Sequence, residues 1–233
     1  MQQRHILITG AGSGLGAATA RVLARQGHRL ALVGRRLQPL RELETSLADT
    51  GAQVRALSCD VSDAEAIRRL FDGFGDDAPD GVVCSAAELL IKPFLETTLD
   101  EYDRVMAVNV RGIWYLCQQA FRAMIKRGGG DIVLVGSLAG MRGQQIEPGK
   151  SVYAASKHAV VGLTESLAFD GRAHNIRVNC VAPGYMQTEM NERIGVSRGA
   201  GPDDVAPSIA FLLDRAQSGP TSGTTLEIFC NGS

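Results

Sequence analysis

The chain of 233 residues lacks most of the features that announce a function outright. Its five cysteines, Cys59, Cys84, Cys117, Cys180 and Cys230, form no CxxC pair. Most lie in or beside apolar runs, which predicts reduced, buried thiols acting as small hydrophobes. The four histidines, His5, His28, His158 and His174, show no HxxxH spacing, so no metal site is expected. His158 adjoins Lys157 and is expected on a helix surface. Neither sign of charge dominates. The formal net charge of −1 argues against bulk attraction to nucleic acid or an anionic membrane. No apolar run approaches the length of a membrane span. The opening MQQRHILITGAGSG reaches glycines after one short apolar run and has no signal-peptide pattern. The expectation is a cytoplasmic protein with neither nucleic-acid nor membrane partners. Internal repeats, low-complexity blocks and long linkers are also missing, which leaves one domain over residues 1–233. A chain of this length can bury a core without a disulfide or metal staple.

What is present is an alternation. Short β-rich runs at 5–9, 30–33, 54–58, 81–85, 131–136, 177–181 and 225–229 are separated by helix-like stretches. Those stretches lie at 15–26, 39–48, 63–74, 99–126, 151–173 and 202–214. Continuous apolar runs such as ILI, LALV and IVLV suit strands covered on both faces. Strand alternating with helix predicts a parallel sheet with helices on both sides, an α/β doubly wound fold. Val152, Ala155, Ala159, Leu163 and Leu167 recur near helical period and predict the apolar face of the fifth helix. The glycine-containing stretch 191–201 is expected to be a mobile loop.

After the first run comes GAGSGLG, with glycines at 10, 12, 14 and 16. A strand, a glycine turn and a helix are the context of a dinucleotide fingerprint. Gly10, Ser13, Gly14, Leu15 and Gly16 are the candidate pyrophosphate-binding residues, with the helix N-terminus facing the charge. Such a turn also occurs in methyltransferases and in plain tight turns. The second run ends LALVGRR. An acidic residue there would grip ribose hydroxyls. Here Gly34 is followed by Arg35 and Arg36, which suit a 2′-phosphate through charge-assisted bonds. NADP(H) is therefore expected over NAD(H), with NAD(H) possible; a solvated basic turn is the bland alternative. In CDVSD, Asp60 can accept from an adenine amino group while Val61 offers backbone contact. Asp60 or Ser62 can equally cap the next helix.

Three later features narrow the field. Ser137 follows a run in IVLVGSLAG, Asn109 sits in VNVRG, and Tyr153 and Lys157 stand four apart in PGKSVYAASK. Residues four apart on a helix share a face, so the phenol and the ammonium can enter one site. Free tyrosine titrates near ~10, and bringing it to ~7 takes about 4 kcal/mol. One ammonium at about 4 Å supplies roughly that at an effective dielectric near 20. Taken with TGAGSGLG and VAPGYMQT, the set resembles the short-chain dehydrogenase/reductase family, from Thr9 to nearly the C-terminus.

The resemblance implies a seven-stranded Rossmann sheet and hydride transfer between nicotinamide and a carbonyl or alcohol carbon of a small molecule. It implies Tyr153 as general acid/base, and Lys157 as its electrostatic partner and a ligand of the nicotinamide ribose. Ser137 would hold the substrate oxygen. Asn109 would position Lys157 through a water and complete a proton relay. Ser85, Ala86 and Ala87 would meet the cofactor largely through backbone, with Pro183, Gly184 and Thr188 contributing beyond the sixth run. A homodimer or homotetramer is implied too, pairing the helices at 99–126 and 151–173. The chain departs from the family in three places. CSAA stands where an asparagine-rich NNAG is usual, and Cys84 cannot supply an amide that bridges strands. The loop between Ser137 and Tyr153 is long, while the lid after Thr188 is short. Gln144, Gln145, Ile146 and Tyr185 are candidate walls of the substrate pocket, and Arg142 a candidate partner for an acidic substrate.

Two other readings compete. GKS at 149–151 ends like a P-loop, but position 144 is Gln where that motif needs glycine, and no strand directly precedes it. A nucleotide-binding scaffold with lost turnover fits CSAA and the short lid; the intact Ser–Tyr–Lys–Asn set opposes it.

Overall fold

The apolar runs of the sequence are the strands of one parallel sheet. The structure is a computed structural model and describes residues 3–144, 146–192 and 199–230. In chain order the elements are β1 (His5–Thr9), α1 (Gly14–Arg25), β2 (Arg29–Gly34), α2 (Leu37–Ser46), β3 (Val54–Ser58) and α3 (Ala64–Asp72). Then come β4 (Gly81–Cys84), α4 (Leu99–Met106), a π-helical segment (Ala107–Gly112), α5 (Ile113–Arg127), β5 (Gly130–Val135) and α6 (Ser151–Gly171). The last are β6 (Ile176–Pro183), α7 (Glu189–Glu192), α8 (Pro202–Leu213), α9 (Arg215–Ser218) and β7 (Thr225–Ile228).

The strand order is β3-β2-β1-β4-β5-β6-β7, with every pairing parallel. Every residue of β1, β4, β5 and β6 is buried, as their unbroken apolar character requires. One face carries a core built from Leu15 and Leu23 of α1, Leu40 of α2 and Ile209 of α8. The other is built from Ile67 of α3, Leu116 and Met124 of α5 and Val160 of α6. The molecule is a doubly wound Rossmann domain. The order reverses at β1, which lies between β2 and β4, and ligands of such sheets bind in the crevice at that switch point.

Three expectations change. The stretch 99–126 is not one helix: α4 and α5 are joined by the π segment Ala107–Gly112, which carries Asn109. A π segment adds a residue to the helical path and so redirects the side chains within it. On α6 the buried face is Val152, Ser156, Lys157, Val160, Thr164 and Ala168, while Ala155 is exposed. Of the residues the apolar periodicity marks, Val152 is buried and Leu163 and Leu167 pack against the core, but the most buried stripe beside them carries the polar Ser156, Lys157 and Thr164. Finally, Asp63, rather than Asp60 or Ser62, caps α3, accepting from Glu65 N at 2.9 Å.

At the opposite rim from the crevice, Asp131 receives Arg4 (2.8 Å), Arg177 (2.6 Å) and Arg215 (3.1 Å). This network ties the starts of β5 and β6 to α9 and stays clear of the site.

Candidate active site

A cleft of about 440 Å³ runs along the C-terminal rim of the sheet. Its floor begins at the turn after β1. A Cβ at Gly16 would lie 2.4 Å from the Gly10 carbonyl oxygen, and one at Gly10 would lie 2.7 Å from Ala86 N. Only glycine permits this double approach, which brings the β1 turn against the segment after β4. Ser13 occupies the N-cap of α1 without capping it through its side chain, and the first turn of α1 has no acidic residue. That helix terminus is uncompensated and opens on the cleft, as a pyrophosphate requires. Gly10, Ser13, Gly14 and Leu15 line the cleft, whereas Gly16 is a packing residue behind it.

Arg35 and Arg36 stand exposed at the cleft edge beyond β2, and neither forms an ion pair with a described residue. Asp60 and Val61 line the adjoining wall. Asp60 Oδ1 accepts from Ser62 N at 2.9 Å and Ser62 Oγ at 2.8 Å, which fixes the carboxylate in the wall. Ser85, Ala86 and Ala87 lie opposite, and Pro183, Gly184 and Thr188 close the far side.

The departure at CSAA has a local answer. The Thr9 hydroxyl oxygen accepts from Ser85 N (3.2 Å) and Ala86 N (3.3 Å), so β1 itself holds the segment after β4. Cys84 is buried against Cys117, and burial with that thiol contact pushes its own thiol well up. All five thiols are free, as expected. Among the described residues no cluster of potential ligands would hold a metal ion.

Ser137, Tyr153 and Lys157 all line the cleft. Ser137 lies two residues beyond β5, where its Oγ accepts from Ala139 N at 3.2 Å and caps the turn Leu138–Gly140. The Ser137 hydroxyl stands beside the Tyr153 phenol on the cleft wall. Burial pushes the Tyr153 phenol up; the Ser137 hydroxyl and the charge of Lys150 work against that. Lys157 is 1% exposed, and its Nζ donates to the Val135 carbonyl at 2.9 Å. Its ammonium lies 5.6 Å from the Tyr153 ring centre. Burial lowers Lys157 to about 8. The phenol is thus raised rather than lowered in this structure, and the cation acting on it is Lys150.

Asn109 is not on the cleft wall. Its Oδ1 accepts from Glu88 N (2.8 Å), and its Nδ2 donates to Glu88 O (2.8 Å) and Ser156 Oγ (3.0 Å). Ser156 in turn donates to Tyr153 O at 2.7 Å. The asparagine braces the segment after β4 against α6, one residue before Lys157.

Gln144, Ile146 and Tyr185, the expected substrate walls, line the same cleft, and Gln144 donates to Glu227 at 3.2 Å. Gln145 and the lid residues 193–198 lie outside the described residues. The two ends of that lid meet through a bridge between Met186 and Ala200. Arg142 is exposed and off the wall. Sequence reasoning missed Lys150, which had no assigned chemistry. It is buried in the cleft, paired with Glu147 at 2.8 Å and bonded to the Tyr185 hydroxyl at 2.6 Å. A lysine at the start of a helix opposes the helix dipole, and that was the available signal.

Residues 4–198 match the family described as short chain dehydrogenase. The chain belongs to the short-chain dehydrogenase family. Members are oxidoreductases that bind a nicotinamide cofactor and act on carbonyl or alcohol groups. The chain is 33% identical over 218 residues to carbonyl reductase family member 4 of Xenopus laevis, covering 89% of each protein. A short-chain type dehydrogenase/reductase of Mycobacterium marinum superposes with a TM-score of 0.91 at 30% identity, covering 97% of this chain and 93% of that one. A protein of Beutenbergia cavernae, provisionally assigned as an NAD(P)-dependent gluconate 5-dehydrogenase, superposes with a TM-score of 0.85 at 31% identity. That match covers 96% of this chain and 94% of the other, whose structure holds NADP at low occupancy. Among the described residues of this short-chain dehydrogenase, no helix is long and apolar enough to cross a membrane.

Proposed function

We propose that the protein is an NADP(H)-preferring oxidoreductase of a small carbonyl or alcohol substrate, working as one catalytic domain with Tyr153 as general acid/base. The observation that carries this reading is the hydroxyl pair Ser137–Tyr153 beside buried Lys157, at the end of a glycine-walled cleft.

The nicotinamide supplies or takes the hydride when bound. Gly10, Ser13, Gly14 and Leu15 hold the pyrophosphate region, with Gly16 packed behind them. Arg35 and Arg36 meet a 2′-phosphate, and Asp60 with Val61 the adenine. Ser85, Ala86, Ala87, Pro183, Gly184 and Thr188 border the nicotinamide half. Ser137 donates to the substrate oxygen, where developing negative charge is best stabilised by a fixed donor. Tyr153 donates its proton to that oxygen in reduction and takes it back in oxidation. A phenol held high by burial is a ready acid. As a base it needs the nearby cations, Lys150 and Lys157, the second of which would also hold the nicotinamide ribose. Asn109 acts as a positioning residue through Ser156.

Leu95 (93% exposed), Phe94, Leu99 and Phe169 offer apolar surface on the side of α4 and α6. They support a homodimer or homotetramer in solution, for which a monomeric sedimentation mass would be contrary evidence. A cytoplasmic location belongs to the same proposal.

The test follows nicotinamide absorbance with NADPH and a panel of aldehydes, ketones and alcohols. Tyr153→Phe should lower kcat by roughly 10²–10⁴ while leaving cofactor affinity within a few-fold. Cofactor binding without turnover of any substrate, unchanged by Tyr153→Phe, would instead support the scaffold reading.

A further inference from the structure

The oxidoreductase reading leaves the substrate open, and the cluster Lys150, Glu147 and Tyr185 narrows it. Lys150 lies at the N-cap of α6, one turn before Tyr153, and both line the cleft. Two physical terms oppose a cation there. The helix N-terminus is itself positive, and burying an ammonium costs solvation. Something anionic must compensate, and Glu147 does so from the preceding loop. Tyr185, in the segment after β6, donates its hydroxyl to the same carboxylate and receives Lys150 Nζ at 2.6 Å. The ammonium also sits 4.6 Å above the Tyr185 ring.

The two members of the ion pair differ in freedom. The Lys150 side chain is 10% exposed; that of Glu147 is 45% exposed. The carboxylate is thus the more solvent-facing member of the pair. The fixed parts are the ammonium and the Tyr185 hydroxyl. The exchangeable part is a carboxylate, and it marks where another carboxylate fits. Burial works to lower Lys150, but its bonds to Glu147 and Tyr185 prevail and hold it charged. The remaining substrate wall includes apolar Leu89, Leu138, Ile146 and Phe229. The other wall carboxylate, Glu88, is engaged by Arg104.

We propose that Lys150 and Tyr185 form an anion subsite, so that the substrate is a short oxo acid, or a hydroxy acid in the oxidative direction. The carboxylate takes the place of Glu147 while the carbonyl oxygen lies at Ser137 and Tyr153. Lys150 stands three residues before Tyr153 and both line the cleft, so one small substrate can meet the two. Exchange of one carboxylate for another keeps the ammonium paired throughout. This assignment, not Arg142, answers the expectation of an acidic-substrate contact, and it rests on the oxidoreductase reading above.

The experiment compares short 3-oxo and 4-oxo acids with their methyl esters, using NADPH and NADH, for wild type, Lys150→Met, Lys150→Arg and Arg142→Ala. The wild-type kcat/KM should favour acid over ester by at least about 10-fold, the scale of one charge-assisted bond. Lys150→Met should collapse that ratio toward one; Lys150→Arg and Arg142→Ala should keep most of it. A ratio near one in wild type, or the same factor lost on acid and ester in Lys150→Met, overturns the proposal and leaves Lys150 as a tie between two loops and a charge acting on Tyr153. Should no compound be turned over, calorimetric titration of the same acids into the NADPH-loaded protein decides. Binding by wild type that Lys150→Met abolishes sustains the subsite while the oxidoreductase reading fails. Absence of binding by wild type overturns the subsite.

Discussion

Asn109 clamps Glu88 by both backbone groups, accepting from its N–H and donating to its carbonyl, each at 2.8 Å. Asn109 itself is fully buried, although the Glu88 end of the clamp is only partly so. Asn109→Ala would leave the Glu88 groups and Ser156 short of partners. The expected loss is about 2–3 kcal/mol of stability. It should appear as a lower urea midpoint at unchanged slope, together with a weaker cofactor affinity. An unaltered midpoint would mean that the segment after β4 is held elsewhere.

Thr9 offers a second test of the same segment. Its hydroxyl oxygen serves Ser85 N and Ala86 N at the end of β4. Thr9→Val keeps the shape and removes the acceptor. A loss of about 1–3 kcal/mol is expected in thermal or urea unfolding. Wild-type stability in the variant would show that the CSAA segment needs no bridge from β1.

Arg35 is the residue on which cofactor choice is expected to turn. Arg35→Asp replaces a guanidinium at the cleft edge with a charge that repels a 2′-phosphate and can accept from ribose hydroxyls. The ratio of kcat/KM for NADPH to that for NADH should fall by at least about 10-fold, one charge-assisted bond being worth that much. A ratio that does not move would assign Arg35 to the solvated surface.

Lys157 makes stability depend on pH in a defined direction. Its folded value of about 8 lies below the unfolded value near 10.4. Below pH ~8 the lysine is charged in both states, and the full cost of burying it is present. Above the folded value, the native protein has shed the proton while the unfolded chain still holds it. Stability from this group therefore rises with pH, by about 1–2 kcal/mol between pH 8 and 9.5. Lys157→Met should lack that component, so the difference between the two cofactor-free proteins should shrink or reverse across the window. Parallel stability curves would rule the assignment out.

The sequence speaks for the sheet more clearly than for the site. Runs such as HILIT and DIVLV read as strands because burial on both faces leaves no room for polar alternation. The glycine turn, Ser137, Tyr153 and Lys157 are legible because their order and contexts act together. The π segment at Ala107–Gly112 leaves no such trace, since VNVRG has ordinary helical composition and one extra residue per turn does not alter it. The inner face of α6 is legible only in part for a related reason. Ser156, Lys157 and Thr164 are buried by hydrogen bonding and by function, so hydrophobic period points beside them. Asn109 is recognisable by residue type, but its partner, the Glu88 backbone, depends on tertiary approach. Lys150 was hidden inside a string that resembled a phosphate loop, and only its burial beside Tyr185 gives it a task.

The walls of the cleft come from places as far apart in the chain as Gly10 and Phe229. Each strand brings one loop to the common rim, so no contiguous stretch owns the nucleotide grip. Binding free energy is consequently a reward for global folding: a dinucleotide at 100 times its Kd should add about 2.7 kcal/mol against unfolding of the whole sheet. In a cell, the supply of nicotinamide would then govern how long this protein survives proteolysis as well as how fast it turns over.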